Sequence, residues 1–284
     1  MDVEVLMSTY NGGKYIKEQI DSIRRQTIPV HITVRDDGSN DSTLKILDKY
    51  QNINVIKGEN KGATESFLTL IDLAPDADYY AFSDQDDVWD QDKLDKAISA
   101  LKKYEEEPTI YSGNTRLVDC DLSFIKCEKL YPKTTLVSAM IKNYATGCTV
   151  VFNKKLMCEL KKYHPVNIPF HDWWVNLVCL SIGGISLYDV EPHMNYRQHA
   201  NNVVSGNDSQ WKKWTSRIKK FNKPYHRDNM ARQLLDHYSI GNNEKEILEV
   251  LANKDTNNMR IFKNGTGNKI DDLLFQLCFL LRKI

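Results

Sequence analysis

Asp84, Asp86 and Asp87 stand at i, i+2 and i+3 directly behind an apolar run, Tyr79-Tyr80-Ala81-Phe82. Carboxylates this close repel one another, and a hard divalent cation relieves that repulsion. Mg2+ or Mn2+ needs only one or two of them and keeps its other positions for water and phosphate. The plainer reading is an acidic turn that caps the helix starting near Asp90. A second pair, Asp36-Asp37-Gly38-Ser39, taken alone is a strand-to-turn signal with Gly38 at positive φ. Beside the first cluster it could also accept hydrogen bonds from a base or ribose. Asp172 opens a helix in His171-Asp172-Trp173-Trp174, as an N-cap over two core tryptophans or as a carboxylate placed to take a proton. Burial beside the aromatics would raise its pKa, and the helix N-terminus would lower it. Arg197 and His199 lie in a segment, Tyr196 to Asn202, that reads as a loop. They could bind a diphosphate, and His199 could complete a metal shell; an ordinary surface loop is the alternative.

The elements that must position these residues follow from hydrophobic periodicity. Apolar runs near Val3–Met7, His31–Arg35, Asn54–Ile56 and Tyr79–Phe82 alternate with helical patterns near Lys14–Arg25, Thr43–Tyr50 and Ala63–Leu73. That alternation predicts a parallel sheet covered on both faces, whose ligands sit at the carboxyl ends of the strands. The polar residues gather at those ends: Ser8-Thr9-Tyr10-Asn11, Asp36 to Ser39, Ser83 to Asp87, and Asn60-Lys61-Gly62, whose backbone N–H groups start the next helix. Further strands are expected between Thr109 and Phe152, ending in the small-residue run Ala145-Thr146-Gly147-Cys148. A helix over Lys154–Lys162, the helix opened by Asp172 and running through Leu180, and a strand over Ile185–Val190 follow. Beyond Ser209 the pattern becomes long and amphipathic, which predicts a helical C-terminal appendage over 210–284.

Composition narrows the class. The chain has 284 residues, 41% of them hydrophobic and 27% charged, enough for one sizeable core. No run reaches the roughly 18 to 20 apolar residues of a membrane span, and the first residues lack a leader pattern. The six cysteines form no CxxC pair, so reduced thiols in a cytoplasmic compartment are expected. Residues 210–284 hold 15 Lys/Arg against 8 Asp/Glu, leaving 23 against 30 in residues 1–209. An acidic body suits a metal site and disfavours nucleic acid. The basic stretch Trp211 to Lys223 could lie on an anionic membrane surface, or pack its aromatics on the body. The apolar run Leu273–Leu281 should dock on the body, a second subunit or a membrane.

Six motifs in this order resemble bacterial family-2 glycosyltransferases, especially their rhamnosyltransferase-like branch. They are MSTYNGGKYIKEQIDSIRRQT, RDDGSNDST, ENKGATESF, FSDQDDVWDQDKL, HDWW and YRQHANN, spanning roughly residues 1 to 205. The resemblance implies an α/β fold of the GT-A type. Residues 1–209 would be catalytic, with a nucleotide-sugar half (1–115) and an acceptor half (116–209), ahead of the helical region 210–284. It also implies that Thr9 and Tyr10 border the base and that Asp37, with Asp36 beside it, accepts hydrogen bonds from it. Asn11, Lys61, Gln85 and Arg197 are counted as further donor contacts. Asp84 and Asp86 match the DxD pair, with Asp86 as the direct metal contact, and Asp172 stands in the place of the base. A tryptophan face suits the C–H face of a pyranose, so Trp173 and Trp174 are candidate acceptor contacts.

The expected activity is inverting transfer from a UDP- or dTDP-sugar to a hydroxyl of a glycan, a polyprenyl-linked or a glycoprotein acceptor. It needs Mn2+ or Mg2+ beside the diphosphate and a carboxylate that deprotonates the acceptor. The protein is expected in the cytoplasm, with peripheral contact at the inner membrane face and homo-oligomers both open. A sugar nucleotidyltransferase would also use aspartates at strand ends, but the chain lacks a glycine-rich basic loop for a triphosphate. A sugar-binding scaffold without catalysis is the other alternative.

Overall fold

The computed structural model describes residues 1–127, 130–198 and 226–281. The predicted alternation is present as β1 (Val3–Thr9), α1 (Ile16–Arg24), β2 (His31–Asp36), α2 (Thr43–Leu47), β3 (Ile53–Lys57), α3 (Ala63–Leu73) and β4 (Tyr79–Ser83). After β4 come β5 (Val88–Trp89), α4 (Lys93–Leu101), β6 (Thr109–Val118), β7 (Phe124–Cys127), α5 (Leu136–Ile141), β8 (Val151–Asn153), α6 (Lys154–Leu160), α7 (His171–Ser181) and β9 (Ile185–Arg197). The sheet order is β3-β2-β1-β4-β8-β6-β9-β5, with β7 paired to β6. The β3-β2-β1-β4 half is parallel throughout. In the rest of the sheet β6 and β9 again pair in parallel, while β8 runs antiparallel to both β4 and β6 and β5 is antiparallel to β9.

Alternation along β1 explains how the sheet is sandwiched. Val3, Val5 and Met7 face one core with Ile16, Ile20 and Ile98, while Leu6 faces the other with Phe67, Phe82 and Phe152. Each such side chain contributes roughly 1.5–3 kcal/mol on burial. The second core also takes Met230, Leu234, Leu251, Phe262, Phe275 and Phe279, from or beside the C-terminal helices Arg227–His237, Asn242–Ala252 and Lys269–Leu280. No helix among the described residues is long and apolar enough to cross a membrane.

The segment from Tyr196 onward differs from expectation. The strand begun at Ile185 does not end at Val190 but continues through Pro192 to Arg197. Proline lacks a ladder donor; the β6–β9 register shifts on either side of the Asn114–Pro192 pair. The Asn114 side chain donates to the Val190 carbonyl at 3.2 Å there, so the ladder resumes beyond the irregularity.

Candidate active site

Three strand ends deliver the acidic loops to one edge. At β1, Asn11 takes a left-handed φ of 49°, its N–H donates to Ser39 Oγ at 2.8 Å and its Oδ1 accepts from Asn40 N at 3.0 Å. These bonds tie the β1 loop to the β2 loop. Gln85 ties it to the β4 loop: its Oε1 accepts from Thr9 Oγ1 at 2.6 Å and from Tyr10 N at 2.8 Å, and its Nε2 donates to the Tyr10 carbonyl. Thr9 is buried and Tyr10 exposed, so the Tyr10 ring remains available at the rim. A side chain at position 12 would lie 2.4 Å from Gln85 Oε1, which is why the loop carries glycine there.

Asp36 and Asp37 are both buried, but their oxygens are spent differently. Asp37 pairs with Arg35 and accepts from Lys61 N at 3.0 Å and Gly62 N at 2.8 Å. It therefore fastens the β3 loop, and its oxygens are engaged within the protein. Asp36 Oδ1 accepts from Ser39 N at 2.9 Å, while Oδ2 is buried with no hydrogen-bond partner. That oxygen is the acceptor left for an incoming N–H. Lys61 contributes its backbone to this clamp, and its side chain is exposed.

The acidic cluster is enclosed from below. Burial first, then the charges of Asp86 and Asp172, push the Asp84 carboxyl up to about 7. Burial and the charges of Asp86 and Asp84 likewise raise Asp87. Asp172 lies near enough to Asp84 for its charge to act there. Its Oδ1 accepts from its own helix at Trp173 N (2.6 Å) and from Asn143 Nδ2 (3.1 Å). Burial outweighs these bonds and lifts Asp172 to about 7. A methyl group at Gly147 would sit 3.3 Å from Asp172 Oδ2 and 3.1 Å from His171 Nε2. His171 is buried, stacks on Phe67 at 3.9 Å, and is held neutral, its pKa lowered to about 3.

Several expected roles fail on geometry. Trp173 and Trp174 are buried, and Trp173 Nε1 donates to the Ala139 carbonyl at 2.6 Å. Neither ring presents a face to a sugar, so the acceptor contacts are corrected to core residues. Arg197 is buried at the end of β9, not in a loop. Its guanidinium donates to the Asp86 carbonyl at 2.8 Å, the Cys120 carbonyl and Glu18, and stacks over Tyr15 at 4.6 Å. It holds the acidic loop from behind rather than reaching a diphosphate. His199 and the basic stretch Trp211–Lys223 lie outside the described residues. Asn143, Gly147 and Cys148 were not singled out as site residues from the sequence; the small-residue run at 145–148 is the one signal that a backbone packs closely there.

A hard cation suits the oxygen donors of Asp84 and Asp86, whose mutual repulsion it would relieve. One ligand atom each from Asp84, Asp87 and Cys148 also lie within 4.8 Å of one another.

Comparison with known proteins gives this pocket its class. The profile of Glycosyl transferase family 2 matches residues 4–155. The dTDP-rhamnosyl transferase RfbG of Shigella flexneri is 34% identical over 227 residues, 72% of this chain and 75% of that protein. The Escherichia coli UDP-Glc:alpha-D-GlcNAc-diphosphoundecaprenol beta-1,3-glucosyltransferase WfgD is 29% identical over 192 residues, 65% of this chain and 72% of its own. Among solved structures, S. aureus TarS 1-349 in complex with UDP-GlcNAc superposes with a TM-score of 0.63 at 17% identity, covering 100% of this chain and 80% of that one. The mannosyltransferase PcManGT from Pyrobaculum calidifontis, in complex with GDP-Man and Mn2+, gives 0.56 at 15% identity, over 99% and 88%. The chain belongs to glycosyl transferase family 2 and has the GT-A fold. It is a nucleotide-sugar-dependent hexosyltransferase of polysaccharide synthesis. The profile ends at residue 155, and Asp172 falls beyond it, within the stretch aligned with the Shigella relative.

Proposed function

We propose that this glycosyltransferase inverts the anomeric centre of a UDP- or dTDP-hexose, with Asp172 as the base that takes the proton of the acceptor hydroxyl. What supports this reading is the Asp172 carboxyl itself: it is held by Asn143 and by Trp173 N at its own helix start, burial raises it to about 7, and its charge acts on Asp84 of the acidic loop. General-base efficiency is greatest when the pKa lies near working pH. The β1 and β2 loops would receive the nucleotide, with Tyr10 at the rim and Asp36 Oδ2 as acceptor for a base N–H. Asp84 and Asp86 would hold Mn2+ or Mg2+, which when bound neutralises the departing diphosphate.

The lipid-linked acceptor in the name of the E. coli relative, and the dTDP-rhamnose of the Shigella relative, support a bacterial surface-glycan product. A polyprenyl-linked glycan is the acceptor we favour. Residues 1–209 form the catalytic unit in this reading, 1–115 for the donor and 116–209 for the acceptor, and 210–284 a helical brace. The last helix exposes Ile270, Leu273, Leu277 and Leu280, an apolar stripe that fits peripheral contact with the inner face of the membrane or with a second copy.

Asp172→Asn should cut turnover about 10²- to 10⁴-fold and leave donor binding by calorimetry nearly intact. Wild-type turnover in that variant removes Asp172 from the mechanism. EDTA should stop transfer and Mn2+ restore it; full rates in metal-free buffer would remove the cation from the reading. Turnover requiring a nucleoside triphosphate would point to a nucleotidyltransferase instead.

A further inference from the structure

The Cys148 thiol lies on the buried side of the acidic loop. It stands on the turn Gly147–Thr149 that leads into β8, and Phe82 N donates to the Val150 carbonyl at 3.1 Å, fixing that turn beside the exit of β4. Asp87 is fully buried. Its Oδ1 accepts from Arg197 N at 3.2 Å, and the Cys148 Sγ lies within 4.8 Å of one of its oxygens. Its Oδ2 is shut away from water with no hydrogen-bond partner. Buried carboxylate oxygens are normally satisfied, so an unpaired one pointing into a cluster of donors marks a place for a cation.

We propose that Asp84, Asp87 and Cys148 form a binding site for a thiophilic divalent cation, of the class of Zn2+ and Cd2+, distinct in donor chemistry from the hard-ion contact at Asp86. The three donor atoms lie within 4.8 Å of one another. Tetrahedral bonds of about 2.0–2.3 Å set donors roughly 3.5 Å apart, so the cluster contracts by at most about 1.3 Å to close on an ion and leaves a fourth position open. A soft sulfur beside two carboxylates selects later and softer metals over Mg2+, which takes oxygen donors. On binding, the S–metal bond forms as the thiol's proton passes to solvent. Lys93 is the competing partner. Its buried amine has no hydrogen-bond partner and sits 3.6 Å over the Trp89 ring, within the field of Cys148 and Asp87. If the Proposed function holds, an ion here withdraws Asp84 from the donor and inhibits transfer; the binding itself does not depend on that reading.

The test uses the full chain carrying Cys120→Ser, Cys127→Ser and Cys158→Ser, which removes the exposed and half-exposed thiols. Titration with Cd2+ should raise a saturable thiolate-to-cadmium charge-transfer band at one equivalent. Cys148→Ser on that background should abolish the band. Asp87→Asn, which keeps the thiol, should retain the band at saturation and weaken Cd2+ binding at least about tenfold. A band that persists without Cys148 overturns the proposal. So does the absence of any saturable band, since Lys93 would then be the permanent counter-charge. Cd2+ binding through Cys148 in a protein that transfers no sugar upholds this site while refuting the function.

Discussion

At the scale of single residues, the decisive quantity is the pKa of Asp172, lifted to about 7 chiefly by burial. A carboxylic acid serves as a base only once ionised. The rate should therefore fall on the acid side of about pH 7 and reach a plateau above it, where an unperturbed aspartate would hold its rate down to about pH 4. A kcat/KM profile flat from pH 5 to 8 would exclude the assignment. Stability runs the other way. The folded carboxyl binds its proton more tightly than the unfolded one, so the fold loses stability as pH climbs from the unfolded pKa toward about 7. The proposed roles of Asp84, Asp86 and Asp172 can be suggested from the sequence because they depend on residue type and on position at a strand or helix end. The outward-facing roles assigned to Trp173 and Trp174 are not, and helix geometry says why. Successive residues turn by about 100° around a helix, so once Asp172 faces the pocket, its two neighbours are carried around into the core.

At the scale of elements, the parallel β3-β2-β1-β4 half is readable because each strand and its crossover helix are adjacent in sequence and keep their own periods. The insertion of β8 between β4 and β6 is not, since its partners lie 40 to 70 residues away, as in the Ile110–Phe152 and Tyr80–Phe152 pairs. Pro192 hides the continuation of β9, and with it the buried place of Arg197. The turn leading into β8 carries Gly147, and its contact with the base makes a sharp prediction. In Gly147→Ala the new methyl meets His171 Nε2 at 3.1 Å and Asp172 Oδ2 at 3.3 Å. His171 is wedged against Phe67 and Phe82, so Asp172 is the group that yields. A shift of a few tenths of an ångström should lower kcat roughly 10- to 100-fold. The atoms nearest the new methyl belong to His171 and Asp172 rather than to the β1 or β2 loop, so donor affinity should change less than kcat. An unchanged kcat would show that the base has slack and that Gly147 is conformational only.

At the scale of the molecule, the C-terminal helices are wired to the helix that carries the base. The last carbonyls of α5 have no partner within their own helix. The Ala139 carbonyl accepts from Trp173, next to Asp172, and the Met140 and Ile141 carbonyls accept from the buried Arg227 guanidinium at 2.8 and 2.9 Å. Arg227 also stacks between Trp173 at 5.3 Å and Phe275 at 5.5 Å. One cation thus joins α5, the base helix and the final helix of the described chain. Arg227→Met keeps most of the apolar stem and leaves two buried carbonyls without their donors, at about 1–3 kcal/mol each. Melting should fall by roughly 5 °C or more. Because Phe275 and Phe279 share a core with Leu6, Phe82 and Trp174, calorimetry should still show one transition, and turnover should drop with it even though Arg227 is no part of the pocket. Two separate transitions in either protein would mean that the helices fold apart from the catalytic sheet, and the coupling through α5 would carry no energy.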